Sequence, residues 1–257
     1  MEKLEIQCEM VTPLLLHGEN TKNAELRAPS IKGAMRFWWR AINGNLSLDE
    51  LKKEEAKIFG GAREDSAIKS SFRIKLLTSY LQTASIDPLP HKKSHFRIKG
   101  YGESQKLNIV FIGKELNIIE KIFELTTILS GFGQRARRGF GSIQTKDNID
   151  IKYIENIIKE INPNFDYTVE NNYPYIKRIE IGKQYNKMND LIKTISSATH
   201  TYNKDGMFGS VRNGRYASPV YISIIKDNNH YRPIITTLKA TKPITEQRLE
   251  EFKGAIL

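Results

Sequence analysis

The chain has 257 residues, with 40 Lys plus Arg against 29 Asp plus Glu and a net charge of +11, enough chain for one large domain or two small ones with proper cores. The basic excess suggests an acidic partner, with a solvated basic surface as the alternative. A single cysteine, Cys8, excludes an intramolecular disulfide and a cysteine zinc site. No apolar run approaches the ~18 residues of a membrane span, and Met1–Ile6 lacks a signal-peptide layout; the expectation is a soluble, cytoplasmic protein with no membrane contact.

In chain order, Leu4, Ile6, Cys8 and Met10 alternate with Glu5, Gln7 and Glu9, which predicts a strand that bends or ends near Pro13. A polar loop over 17–28 leads to Arg27–Arg40, a run with four basic residues, no acidic one and both tryptophans. Spacing predicts a helix over about Ile31–Ile42, capped by Ser30, with Ile31, Ala34, Met35, Trp38, Ala41 and Ile42 on its buried face. Lys32, Arg36 and Arg40 then follow one another at i, i+4 on another face. Such like charges repel by roughly 0.2–0.5 kcal/mol per pair. Either residues elsewhere in the fold or a bound anion must supply the counter-charge. Trp38 belongs to the core, whereas Trp39 lies beside Arg36 and Arg40, where it braces them or stacks on a base.

A short charged helix over Ser47–Phe59 closes at Gly60-Gly61, and Ser71–Tyr80 is predicted as a strand. Residues 82–105 read as a long Pro-, His- and Lys-containing connection. A strand over Leu107–Ile112 and an amphipathic helix over Glu115–Ser130 lead to Gly131-Phe-Gly-Gln-Arg-Ala-Arg-Arg-Gly-Phe-Gly141 and a strand over Ser142–Thr145. This order is that of a ferredoxin-like β-α-β sandwich. The remainder reads as a looser second copy. It has helices over Ile151–Ile161, Met188–Thr199 and Glu246–Ile256, strands over Tyr175–Ile181, Pro219–Ile225 and Tyr231–Lys239, and a second Gly/Arg loop over Gly206–Tyr216. The expected class is therefore α+β, two tandem ferredoxin-like domains over 1–150 and 151–257.

In the first glycine-rich loop, glycines allow close backbone approach, Arg135, Arg137 and Arg138 offer planar forks to phosphates, and Phe132 and Phe140 can stack on bases. An ordinary turn with solvated arginines is the alternative. No P-loop or dinucleotide fingerprint is present. His17, at the end of the first strand, is the candidate general base if the chain cleaves RNA, although a turn or surface role is commoner for a lone histidine. His91 and His95 lack an acidic cluster, so no metal site and no cofactor are expected.

Val11-Thr-Pro-Leu-Leu-Leu-His-Gly18 followed by Leu26-Arg-Ala-Pro-Ser-Ile-Lys-Gly-Ala-Met-Arg-Phe-Trp-Trp-Arg-Ala41 resembles the N-terminal signature of the repeat-associated mysterious protein (RAMP) superfamily. Within it, the run is similar to the first-numbered subunits of the Cmr complex of type III-B CRISPR systems. Gly131–Gly141 resembles that superfamily's glycine-rich loop, and Arg215-Tyr-Ala-Ser-Pro-Val220 its second-domain motif. The resemblance implies RNA-recognition-like tandem domains in a ribonucleoprotein that holds CRISPR RNA and target RNA beside other Cmr-complex RAMP subunits. It implies a binding component near the guide 3′ end and no nuclease, with Lys32, Arg36, Trp39, Arg40, Arg135, Arg137, Arg138 and Arg215 toward RNA. The aromatic RNP1 signature is absent, so helix and loop contacts should dominate over sheet-face stacking. An RNA-processing endoribonuclease using His17, or a protein–protein scaffold, are the rivals.

Overall fold

A computed structural model describes residues 1–20, 22–63, 66–78, 80–92, 96–170, 173–204, 206–210, 216–239 and 244–257. The elements are β1 (Glu2–Met10), α1 (Ala28–Ile42), α2 (Leu48–Phe59), β2 (Gly61–Arg63), β3 (Ser66–Ile68), β4 (Phe72–Leu77), β5 (Thr83–Ile86), β6 (Ile98–Tyr101), β7 (Lys106–Gly113), α3 (Leu116–Leu129), β8 (Ile143–Gln144), α4 (Ile151–Ile161), β9 (Ile176–Ile181), α5 (Met188–Tyr202), β10 (Val220–Asp227), β11 (His230–Leu238) and α6 (Glu246–Gly254).

The first sheet runs β4-β7-β1-β8, with every pairing antiparallel. With the small hairpins set aside, this is the strand order of a ferredoxin-like unit. The second sheet, β10-β11-β9, repeats the antiparallel order of the first three strands of such a unit. The expected α+β class with antiparallel ferredoxin-like sheets is what the chain adopts. Alternation in β1 places Cys8 and Met10 in the core while Glu2, Lys3 and Glu5 remain exposed, the pattern of a strand with one wet face.

Two predicted elements differ in detail. Helix α1 begins at Ala28, with Arg27 as its N-cap and no side-chain cap. Ser30 is inside the first turn, its N–H bonded to Arg27 O, because Pro29 is preorganised for the first helical turn. Residues 82–105 are no bare connection: they form the β5–β6 hairpin, with Thr83 paired to Tyr101 and Ile86 to Ile98. Tyr101 also exchanges backbone hydrogen bonds with Leu14, at 2.9 and 3.0 Å. The alternation in Thr83–Ile86 is too short to separate from its polar surroundings in sequence.

Among the described residues, three apolar clusters form the core. One lies under the first sheet with α1, α2 and α3 (Met35, Trp39, Phe59, Phe111, Phe123), and a second joins α5 and α6 to β10 and β11 (Leu191, Ile195, Ile222, Phe252). The third packs Trp38 and Ile42 of α1 and Leu129 of α3 with Ile157 of α4 and Tyr221 and Ile234 of the second sheet. The two sheets therefore share buried side chains through α1, α3 and α4. Gln144 of β8 ties them again, accepting from Lys226 N at 2.8 Å and donating to Lys226 O at 2.9 Å.

Candidate nucleic-acid interface

Helix α1 presents two different sides. The basic one is clasped to the protein itself. Lys32 donates to Ser70 Oγ at 2.5 Å and lies 4.7 Å from the Phe72 ring centroid; burial, with Arg36 adding to it, lowers its pKa. Arg36 donates to Phe59 O at 3.1 Å and Gly60 O at 2.6 Å, and its Nε lies 3.0 Å from Glu55 Oε1. Arg40 pairs with the other oxygen of Glu55. Glu55, on α2, is the counter-charge that the sequence demanded without naming. Its side chain is 7% exposed, against 39% for Arg36 and 50% for Arg40. One carboxylate between two half-exposed guanidiniums leaves this edge positive. It lines a depression of about 520 Å³ with Asp49, Lys52 and Gly61.

The other side of α1, carrying Ser30, Ala34 and Phe37, faces the glycine-rich loop. Together with Arg135, Arg137, Phe208, Tyr216 and Tyr221 it encloses a groove of about 580 Å³. The loop does approach the organising helix, but across from the arginine stripe rather than over it.

The loop's backbone is locked to protein. Gln134 N donates to Leu15 O at 2.7 Å, Gly139 N to Ile222 O at 2.8 Å, and Gly141 N to Pro13 O at 2.9 Å. A Cβ on Gly141, at φ +70°, would sit 2.0 Å from Phe132 O, and one on Gly133, at φ +84°, 2.4 Å from Leu15 O. Both positions require glycine for left-handed backbone and for contact between protein strands. Phe132 and Phe140 are buried, so neither is a base-stacking platform.

The three arginines separate. Arg138 is buried and donates to Phe208 O at 2.5 Å, Arg137 O at 2.7 Å and Val220 O at 3.1 Å. Burial, then its neighbours Arg135 and Arg137, push its pKa down to about 9; the three carbonyl acceptors keep the guanidinium charged near neutral pH. It is a fastener between the first loop and the second, because a planar fork can bond several carbonyls at once. Arg137 is half-buried at the groove, its guanidinium 4.5 Å from the Tyr221 ring centroid. Arg135 sits in left-handed backbone at φ +59°, with its Nε enclosed and lacking an acceptor among the described residues.

Trp39, expected on the basic face, is instead buried against Phe59, with ring centroids 6.4 Å apart. Three adjacent aromatic residues cannot all follow one helical stripe, and α2 covers this one. Trp38 is core as expected, with its indole N–H donating to Ser130 Oγ at 2.8 Å. Arg215 and Arg212 lie outside the described residues. The segment holding them is bracketed by mutual backbone hydrogen bonds between Ser210 and Tyr216, at 3.0 and 2.9 Å. His17 donates from Nε2 to Lys99 O at 2.7 Å, since a carbonyl can only accept. Its Nδ1 is enclosed and lacks a partner among the described residues.

Sequence reasoning missed Phe37, Tyr216 and Tyr221. Phe37 is half-buried at the groove, with its ring 5.4 Å from Trp38 and 5.5 Å from Tyr221, while Tyr216 is 38% exposed at the rim. Phe37 falls just off the apolar stripe, which is the one signal that marked it. Groove walls made by three segments far apart in sequence carry no local pattern. Among the described residues no three His, Cys, Asp or Glu side chains converge, and no helix is long and apolar enough to cross a membrane.

With this geometry in view, likeness to known proteins becomes informative. Pyrococcus furiosus CRISPR system Cmr subunit Cmr1-2 is 27% identical over 172 residues, covering 54% of this chain and 92% of that protein. Cmr1-1 of the same organism is 29% identical over 157 residues, which cover 54% of this chain and 46% of that protein. The crystal structure of apo Cmr1 from Pyrococcus furiosus superposes over 100% of this chain and 97% of its own, with a TM-score of 0.69 at 16% identity. A cryo-EM structure of the type III-B Cmr-beta bound to cognate target RNA contains a chain that aligns over 98% of this one and 99% of its own, with a TM-score of 0.62 at 13% identity. At such identities the structural likeness establishes the fold. The RAMP superfamily pattern matches residues 7–144, more than half the chain and inclusive of the end of β1, all of α1 and the glycine-rich loop, and the chain therefore belongs to the RAMP superfamily.

Proposed function

We propose that this chain is a non-catalytic RNA-binding subunit of a type III-B CRISPR (Cmr) effector, holding CRISPR RNA and target RNA near the guide 3′ end beside other RAMP subunits. The observation that carries the proposal is the groove between α1, the glycine-rich loop and the Tyr216–Tyr221 segment. There Arg137, half-buried, lies over the Tyr221 ring, and the half-buried ring of Phe37 packs on the same tyrosine. Guanidinium beside an aromatic face suits a phosphate next to an unstacked base. Arg135 and Arg137 supply the loop contacts, Arg36 and Arg40 extend positive charge past the groove, and Arg215 remains a proposed contact. Lys32, Trp39 and Arg138 are occupied by the fold and leave the proposed contact set. The likeness to Cmr1 proteins supports the assembly, and the division after residue 150 into two RAMP domains belongs to the same proposal.

Cleavage from His17 finds no support in the geometry. A general base must reach a hydroxyl with a free ring nitrogen, whereas Nε2 of His17 carries its proton to Lys99 O and Nδ1 is enclosed.

The test is binding of labelled single-stranded RNA between about 50 and 200 mM salt, where log affinity should fall by roughly 0.7 per neutralised phosphate for each tenfold rise in salt. Salt-independent affinity contradicts the electrostatic reading. No RNA binding by the isolated chain, with normal incorporation into the assembled complex, makes it a scaffold. Specific cleavage of repeat RNA that His17→Ala abolishes makes it an enzyme.

A further inference from the structure

A second basic cluster lies beyond the groove, where the two halves of the chain meet. His91 stands in the segment between β5 and β6, and His200 in the last turn of α5. Their ring centroids are 5.2 Å apart with planes 35° from parallel. Both nitrogens of His91 are enclosed and make no hydrogen bond among the described residues. Arg135, from the glycine-rich loop, acts on the same imidazole, and its own Nε is also enclosed without an acceptor among the described residues.

The charged and titratable groups around His91 are His200 from α5, Arg135 from the loop, and Lys92 and Asp87 from its own segment. Asp87 already accepts from Leu89 N at 2.8 Å through Oδ1. The cluster thus gathers two imidazoles, one guanidinium and one ammonium against one carboxylate. Burial first, then His200, Arg135 and Lys92, lower the His91 pKa below its ordinary value, with Asp87 pulling the other way. Without a ligand, this balance favours the neutral imidazole. Buried donors with no acceptor are costly. Two enclosed nitrogens on a histidine and one on an arginine, without an acceptor among the described residues, are the features an incoming oxyanion would satisfy.

We propose that His91, His200 and Arg135 form a phosphate site that an RNA strand occupies as it leaves the groove, and that its occupation draws a proton onto His91. The proposal rests on the RNA-binding reading and adds to it a location and a pH dependence. Phosphate favours a protonated His91 because its negative oxygens neutralise the added charge. Arg135 connects the two places, since it also lines the groove. In the step itself, one proton passes from solvent to imidazole nitrogen, and the resulting N–H donates to a phosphate oxygen. No covalent bond changes.

The direction follows from linkage. Binding raises the histidine pKa from a depressed free-state value, so affinity increases as pH falls through the bound-state pKa and levels off below the free-state one. The test measures single-stranded RNA affinity at about pH 8 and about pH 6 for the full-length protein, beside the variants His91→Gln and His200→Gln. Wild type should tighten several-fold between the higher and the lower pH, and each variant should bind more weakly and lose most of that pH-dependent gain. Titration calorimetry of wild type in two buffers of different ionisation enthalpy gives a readout independent of variant folding, and must show proton uptake on RNA binding.

RNA binding without proton uptake, or with a pH response that both variants keep, overturns the site. Absence of RNA binding at either pH overturns the underlying function as well. Inorganic phosphate provides the remaining arm. If it alone elicits the proton uptake and RNA does not, the site takes free phosphate and the proposal for RNA fails.

Discussion

Arg137 and Arg138 are adjacent and chemically identical, yet the structure assigns them opposite consequences on truncation. Replacing Arg138 by Met keeps much of the side-chain volume but removes the donors that meet Phe208 O, Val220 O and Arg137 O. An unpaired buried acceptor costs about 1–3 kcal/mol. Part of the combined penalty is offset, because a buried cation pushed down to about 9 is itself expensive to keep charged. The net expectation is a loss of about 2–4 kcal/mol, which for a chain of this size lowers Tm by roughly 5–15 °C. Arg137→Met removes a half-exposed cation–π contact at 4.5 Å, worth about 0.5–1 kcal/mol. Urea unfolding of the two variants followed by circular dichroism compares them directly. Equal, small losses refute the assignment of Arg138 as the fastener between the two loops, and a larger loss for Arg137 inverts it.

Two other substitutions probe α1. Glu55→Gln removes the shared counter-charge of Arg36 and Arg40; since both arginines are half-exposed, the expected destabilisation is about 1–2 kcal/mol, and RNA affinity should rise because two guanidiniums lose their carboxylate. Denaturant midpoints and RNA titrations check both parts, and a stable variant with unchanged affinity rejects the pairing. Gly33 sits mid-helix and exposed, where a Cβ would meet nothing within 4 Å, between the Ser30–Phe37 side and the Arg36–Arg40 edge. Gly33→Ala should therefore stabilise the helix by about 0.5–1 kcal/mol while weakening RNA binding, if a strand crosses the helix there. Stabilisation without loss of affinity removes that path.

Much of the fold was legible in the sequence because its signals are local. The capping box at Ser47 and Glu50 marks the start of α2 and is present as such. The Asp227–His230 turn sits between β10 and β11, joined at Asp227 and His230. The β5–β6 hairpin was hidden because four residues of weak alternation do not stand out from proline, histidine and lysine. The site was less legible. A basic stripe on a helix reads the same whether a carboxylate of this chain or a phosphate faces it, and Glu55 is fifteen residues from Arg40 on another helix. A glycine-rich loop likewise reads the same whether its close neighbour is RNA or, as at Gly141 and Phe132 O, the protein itself. Adjacency to basic residues points Trp39 outward and the glycine-rich composition points Arg138 outward, whereas cover by α2 buries the first and the carbonyls of Phe208 and Val220 hold the second.

The central claim is that RNA lies in the groove at Arg137. Its most direct measurement is the salt dependence of single-stranded RNA affinity for Arg137→Ala beside wild type, with unfolding midpoints confirming that both are folded. The account predicts weaker binding by the variant and a log–log salt slope shallower by roughly 0.7, one phosphate contact fewer. An Arg137→Ala protein that is folded and binds RNA with wild-type affinity and wild-type slope contradicts it.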